Sequence, residues 1–153
     1  NVLGLFNEDA LPPADKRIVT TTKMTKVALD ILEKNNNGFF LMVEESQVDW
    51  SGHNNDGMGS SSEMESLNDL VNFCIDYQEK NPTTLVLLTS DHECGGLAIN
   101  DGENNEMNCS FTTTYHTATL VPVFAIGPGS KYFNQFLDNT DIGKKLIEYV
   151  KND

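Results

Sequence analysis

The sequence contains three histidines, and each lies beside acidic residues or in a polar segment close to a hydrophobic run. Asp49 and His53 are four residues apart, so one helical turn would bring a carboxylate oxygen and an imidazole nitrogen to the same side. Taken alone this spacing is a weak signal, because a capped turn carrying a solvated histidine has the same pattern. The pair is a candidate for sharing a metal ion.

A second candidate pair, Asp91 and His92, consists of adjacent residues that follow a hydrophobic run. Neighbouring residues on a strand point to opposite faces, so both can reach one ion only where the backbone turns at the strand end. The following Gly95-Gly96 permits such a turn. Carboxylate oxygens and neutral imidazole nitrogens suit zinc, whereas Glu44, at the end of another run, offers an oxygen better suited to magnesium.

Helical and strand patterns alternate around these residues. We predict helices over 22–36, over 63–80 and after a cap at 139–141, and strands over 39–43, 84–89 and 121–126. Continuous apolar runs are typical of strands buried on both faces, which predicts an α/β fold of three layers with a mostly parallel central sheet. Residues 44–62, including Ser60 to Ser62, are predicted to form a polar loop, and 97–114 short antiparallel strands.

Length and charge limit the number of domains and the kinds of binding partner that this chain can have. A chain of 153 residues is long enough for one core, so we predict a single domain over 1–153. Its net charge of -13 disfavours binding to nucleic acid, and no apolar run reaches the roughly 18 residues of a membrane span. An anionic substrate would need a local cation, and Arg17, the only arginine, lies in a loop-like stretch without a phosphate-binding context. Bound metal is the better candidate.

The three cysteines support neither a disulfide framework nor a zinc-ribbon site, because their number is odd and none stands in CxxC spacing. We predict that Cys74, Cys94 and Cys109 are partly buried free thiols rather than catalytic groups. The first ten residues lack the basic start and long apolar stretch of a signal peptide.

Three segments of the chain resemble signature segments of a known family. In chain order, VEESQVDWSGH, LLTSDHECGG and YHTATLVPVFAIGPG closely resemble signature segments of the alkaline phosphatases. The likeness extends back through KMTKVALDIL and GFFLMVE and forward to the last helix, so it covers nearly all of this chain but only the later part of the family's fold. The chain departs from the family at Glu45, Cys94 and Ala118, where glycine, threonine and glycine are common.

The resemblance implies a set of metal ligands. Asp49, His53 and His116 would bind a first zinc ion, Asp91 and His92 a second zinc ion, and Glu44 a magnesium ion. The implied activity is hydrolysis of phosphate monoesters to inorganic phosphate, by in-line phosphoryl transfer to a serine nucleophile. The family's serine, a bridging aspartate and a phosphate-binding arginine belong to an earlier part of its fold, and no segment here matches them. We therefore expect this chain to be inactive alone.

Other consequences follow from the same resemblance. It implies a periplasmic or secreted location and leaves a homodimer open for a full-length protein. Two alternative functions stay open: a non-catalytic zinc-binding domain derived from this fold, and a phosphodiesterase or sulfatase relative, which would share the Asp/His pattern but not its spacing. Unpaired strand edges such as 39–43 are expected to make the isolated chain self-associate.

Overall fold

The computed structural model describes residues 2–103 and 107–151 as helices joined to short strands. In these ranges the helices are α1 (Thr21–Leu32), α2 (Gln47–His53), α3 (Gly57–Lys80) and α4 (Asn139–Lys151), with short 3-10 helices at Ala14–Lys16 and Ser130–Phe133. The strands are β1 (Val86–Thr89), β2 (Glu93–Cys94), β3 (Ala98–Asp101), β4 (Met107–Ser110), β5 (His116–Thr117) and β6 (Val123–Ile126). The mixture confirms the predicted α/β class. None of the described helices is both long and apolar enough to cross a bilayer.

The strands pair in three antiparallel couples. β1 pairs with β6, β2 with β5, and β3 with β4. The last couple confirms the short antiparallel strands predicted within 97–114, of which residues 104–106 lie outside the described ranges. The sequence predicts a mostly parallel sheet, but the strand pairs of the described residues are all antiparallel. Apolar runs indicate a buried strand but not its direction, and β1 connects to β6 through the two smaller couples rather than through a helical crossover.

The hydrophobic run 39–43 does not form the predicted strand. Among the described residues none provides a ladder partner, and a strand without a partner leaves its N–H and C=O groups unpaired. Phe40 and Met42 are accordingly 57% and 77% exposed.

Helix α3 begins at Gly57, earlier than the predicted start at Glu63. Asp56 caps it by accepting a hydrogen bond from the Gly59 N–H at 2.9 Å. The prediction of a loop over 44–62 is therefore wrong for 57–62, including Ser60 to Ser62, which form the first turns of this helix, and for 47–53, which form α2. The cap was missed because its acceptor, Asp56, stands among glycines and serines that are also typical of loops.

A buried ionic network of Arg17, Glu45 and Glu63 joins the amino-terminal segment to the helices. The guanidinium Nη1 lies 2.5 Å from Glu45 Oε2, and Nη2 lies 2.9 Å from Glu63 Oε2. Glu63 Oε1 also accepts the Ala14 N–H at 2.7 Å, and Arg17 Nε donates to the Pro12 carbonyl at 2.7 Å. The three charged side chains are 1–4% exposed. This network holds the chain before α1 against the segment that starts α2 and against α3.

The apolar core of the described residues is small. Its buried hydrophobic side chains are Leu29, Leu70 and Phe133. The accessible surface of 11147 Å² exceeds the roughly 7,700 Å² typical of a compact monomer of this mass. Large apolar side chains such as Phe124 and Phe136, at 61% and 89% exposure, lie on this surface.

We expect the purified chain to self-associate at micromolar concentration, because contiguous apolar surface in water favours burial against another molecule. Light scattering would show species larger than the 17.0 kDa monomer. Replacing Phe40 and Met42 by lysine should shift the distribution toward monomer. A monodisperse monomer for the unmodified chain would contradict this expectation.

The substitution Arg17→Ala should lower the free energy of unfolding by about 3–5 kcal/mol, because it leaves two buried carboxylates without a counter-charge. Urea unfolding followed by circular dichroism measures the change. Lys16→Ala is the matched control, since Lys16 is the neighbouring cation and is exposed. Equal destabilisation by the two substitutions would show that the ionic network does not fix the fold.

Candidate metal centre

Helix α2 supplies the first half of the site. Asp49 and His53 lie one turn apart on it, as their spacing predicts, with Asp49 Oδ2 3.3 Å from His53 Nε2. Gln47 in the first turn is buried and donates to the Leu11 carbonyl at 2.8 Å, which fixes the start of the helix against the amino-terminal segment. The carboxylate and imidazole therefore have a defined position relative to the rest of the chain.

The β2–β5 couple supplies the second half. Its register places Cys94 opposite His116, and the Gly95 N–H extends the pairing by donating to the Tyr115 carbonyl at 3.0 Å. His116 Nε2 lies 3.3 Å from Asp49 Oδ1 and 3.1 Å from His53 Nε2. One potential ligand atom from each of Asp49, His53, Cys94 and His116 falls within 4.8 Å of all the others.

These separations fit a shared zinc ion. Zinc bonds to nitrogen and oxygen of about 2.0–2.2 Å in tetrahedral geometry place neighbouring ligand atoms about 3.3–3.6 Å apart. The Nε2 atoms of His53 and His116 are 3.1 Å apart, and each lies 3.3 Å from a carboxylate oxygen of Asp49, Oδ2 for His53 and Oδ1 for His116. The Asp/His/His donor set is also one that zinc accepts.

A backbone contact fixes the tautomer of His53. Its Nδ1 lies 2.6 Å from the Thr114 carbonyl oxygen, which can only accept, so Nδ1 carries the proton and donates. The Nε2 lone pair is therefore free to face Asp49 and His116. Hydrogen bonding of the second ring nitrogen to a carbonyl is the usual support of a metal-binding histidine.

Two polar atoms at the cluster have unmet bonding capacity. Asp49 Oδ1 and His92 Nδ1 are buried atoms without a hydrogen-bond partner among the described residues. They lie 3.9 Å apart, which is too far for a hydrogen bond. An unsatisfied buried polar group costs about 1–3 kcal/mol, and a cation at the cluster would satisfy the Asp49 oxygen.

The Asp91–His92 pair lies beside this cluster. Asp91 Oδ2 is 3.3 Å from His92 Nε2, again within the range for two ligands of one zinc ion. The His92 ring stacks on the His116 ring with centroids 3.5 Å apart. Asp91 is 80% exposed, so this pair opens to solvent.

Glu44 stands apart from these ligands. It is exposed at the end of the unpaired run 39–43 and does not belong to the group of donors around Asp49. Its neighbour Glu45 is committed to the ionic network with Arg17. The assignment of Glu44 to magnesium stays a prediction.

Sequence reasoning missed the contributions of Cys94 and Glu93. Burial, then a hydrogen bond to Asp49 and the charges of Asp49 and Glu93, raise the pKa of the Cys94 thiol to about 11. The Thr117 hydroxyl and the N–H groups of Leu97 and Gly96 donate to Glu93 and lower the pKa of its carboxyl group. Glu93 thus ties the glycine turn to β5 beside His116. The signal for both residues was their position next to Asp91-His92 and before Gly95-Gly96.

Comparison with known proteins gives consistent matches. A sequence model of the alkaline phosphatase family matches residues 1–108. Alkaline phosphatase 3 of Bacillus subtilis (strain 168) is 38% identical over 153 aligned residues, which cover 97% of this chain and 31% of that protein. The structure of alkaline phosphatase from the Antarctic bacterium TAB5 is 36% identical, with a TM-score of 0.83 over 93% of this chain and 44% of that one.

A variant of the TAB5 enzyme, 35% identical with a TM-score of 0.79, has Mg bound in its M3 site. This match covers 91% of this chain and 44% of the variant's length. This chain therefore spans less than half the length of each of these relatives. The structural similarity confirms an alkaline-phosphatase-like α/β fold, present in part.

Alanine in place of His53 or of His116 should weaken zinc binding at least about 10-fold, because each removes one of three converging donors. Competition with a chromogenic chelator measures the affinity. Trp50→Ala is the control, since Trp50 lies on the same helix, is 49% exposed and is outside the cluster. Unchanged affinity in both histidine variants would overturn the ligand assignment.

Proposed function

The chain belongs to the alkaline phosphatase family, and on that premise we propose that it carries the metal-binding part of a phosphomonoester hydrolase. The observation that best supports this is the convergence of Asp49, His53 and His116 at separations of 3.1–3.3 Å. Metal-dependent phosphoryl transfer needs such a ligand set, and the net charge of -13 makes a bound cation necessary for any anionic substrate.

In this proposal each side chain has a defined task. Asp49, His53 and His116 bind the first zinc ion, while Asp91 and His92 bind the second. Zinc ions held by these two sets would supply Lewis-acid stabilisation of the oxygens that carry charge during phosphoryl transfer. The exposure of Asp91 leaves the second pair accessible to a substrate from solvent.

The position of the Thr114 carbonyl gives the first site its rigidity. By accepting from His53 Nδ1, it prevents the ring from turning and keeps Nε2 directed at Asp49 and His116. The stacked rings of His92 and His116 hold the two ligand sets side by side. In this proposal the two contacts would preorganise both sets, which would reduce the reorganisation that substrate binding requires.

A third ion and the nucleophile complete the proposal. Glu44, exposed at the end of the run 39–43, would bind magnesium. The serine nucleophile, bridging aspartate and phosphate-binding arginine would come from a part of the fold that this chain does not match. Arg17 does not serve as that arginine, because both Glu45 and Glu63 occupy its guanidinium. The whole protein would hydrolyse phosphate monoesters to inorganic phosphate in the periplasm or outside the cell.

A chimera tests the activity. The residues of this chain would replace the matching part of the TAB5 alkaline phosphatase, and hydrolysis of a chromogenic phosphate monoester would be followed after zinc and magnesium loading. We expect turnover that a chelator abolishes and that His53→Ala or His116→Ala lowers by at least about 100-fold, because each removes a zinc ligand. This chain alone, loaded in the same way, is the control and should bind zinc without turnover.

Three outcomes would contradict the proposal. A folded, zinc-loaded chimera without turnover would favour the non-catalytic zinc-binding domain. Preference for a phosphate diester or a sulfate ester would favour the corresponding relatives. Chelator-sensitive turnover by this chain alone would show that one of its own residues acts as the nucleophile.

A further inference from the structure

The thiol of Cys94 lies at the first metal site, on the β2–β5 couple and packed against α2. Cys94 is the cross-strand partner of His116 in the β2–β5 couple, and directly opposed residues have side chains on the same face with Cβ atoms about 4.5–5.5 Å apart. One donor pair, Asp49 and His53, thus comes from a helical turn, and a second pair, Cys94 and His116, comes from a strand ladder. The four donor atoms fall within 4.8 Å of one another.

The packing of Cys94 against α2 is close and specific. A Cβ atom placed on Gly52 would lie 2.9 Å from Cys94 Cβ and 3.0 Å from its Sγ, so a side chain at position 52 would collide with the cysteine. Gly52 is buried and immediately precedes His53. The absence of a side chain at Gly52 therefore allows the sulfur to rest against the helix next to two metal ligands.

We infer that Cys94 is a fourth protein ligand of the first metal site, an inference that rests on the metal-binding function proposed above. Sulfur binds zinc at about 2.3 Å, and an Asp/His/His/Cys set would supply the four ligands that a tetrahedral zinc site requires. On binding, the Cys94 S–H bond breaks, its proton passes to solvent, and Sγ bonds to the ion, because coordinating thiols are deprotonated by the metal.

The chemistry of the fourth donor affects how tightly the site would hold a metal ion. A thiolate is a softer and stronger zinc ligand than a neutral hydroxyl group, so the site should hold zinc or cobalt more tightly. It also fills the position that a catalytic zinc site usually leaves to water or substrate. An incoming oxygen ligand must then displace Cys94 or raise the coordination number to five.

Cobalt substitution tests the inference directly. Cobalt(II) bound to the full chain should give visible d–d bands and an intense near-ultraviolet thiolate-to-cobalt charge-transfer band. The variants Cys94→Thr and Cys94→Ser should lose the charge-transfer band, keep weaker d–d bands, and bind zinc at least about 10-fold less tightly. Cys109→Ser is the matched control and should keep both absorptions, since Cys109 lies on β4 and outside the donor group.

The outcomes separate this inference from the proposed function. Cobalt d–d bands that His53→Ala and His116→Ala abolish, without any charge-transfer band, would support the metal site and overturn the role of Cys94. Absence of cobalt and zinc binding by the folded chain would overturn both.

Selective alkylation gives a second readout that needs no spectrum. Zinc should protect Cys94 from iodoacetamide at least about 10-fold while Cys74 and Cys109 react at unchanged rates, because a metal-bound thiolate is a poorer nucleophile than a free one. Equal protection or equal reaction of all three cysteines would count against coordination by Cys94.

Discussion

The guanidinium of Arg17, shared by two buried carboxylates, is the interaction on which the arrangement of this chain depends most. Glu45 immediately precedes the segment that starts α2, and Glu63 lies inside α3, so one cation fixes two helices and the amino-terminal segment together. Burying three charges is costly, and the cost is offset only when their hydrogen bonds are satisfied. Thr21, Ser66 and the Ala14 N–H contribute such bonds here. With a small apolar core, this network carries a large share of the structural specificity.

The candidate metal site owes its geometry to that network. Asp49 and His53 project from the helix that starts just after Glu45, and Gln47 in its first turn bonds back to the Leu11 carbonyl. The close contact of Gly52 with Cys94 then sets the distance between the helix and the β2–β5 couple. A short series of contacts therefore connects the ionic network to the candidate ligands.

Sequence reasoning was successful where the constraint is local and failed where it is long-range. The four-residue spacing of Asp49 and His53 predicts their meeting, because one helical turn decides it. The pairing of His116 with Cys94 depends on a strand register across more than twenty residues, and only the family resemblance pointed to His116. Rules for cysteine spacing describe local motifs, so they could not identify Cys94. No local pattern specifies the partners of Arg17, the direction of the paired strands or the lack of a ladder partner for 39–43. These features depend on contacts between distant parts of the chain.

The candidate metal donors of this chain lie close together, but they are open to solvent. The first property suits metal binding, and the second is unfavourable for catalysis. A helical turn, a two-residue ladder and the Thr114 carbonyl suffice to converge the donors of the first site, even though the surroundings bury little apolar surface. Catalysis also requires the exclusion of water, because charges stabilise a transition state most strongly where water is absent. Here Asp91 is 80% exposed and His116 46% exposed, so solvent reaches both ligand sets. Short-range contacts therefore bring the candidate donors together in a chain that leaves them open to solvent.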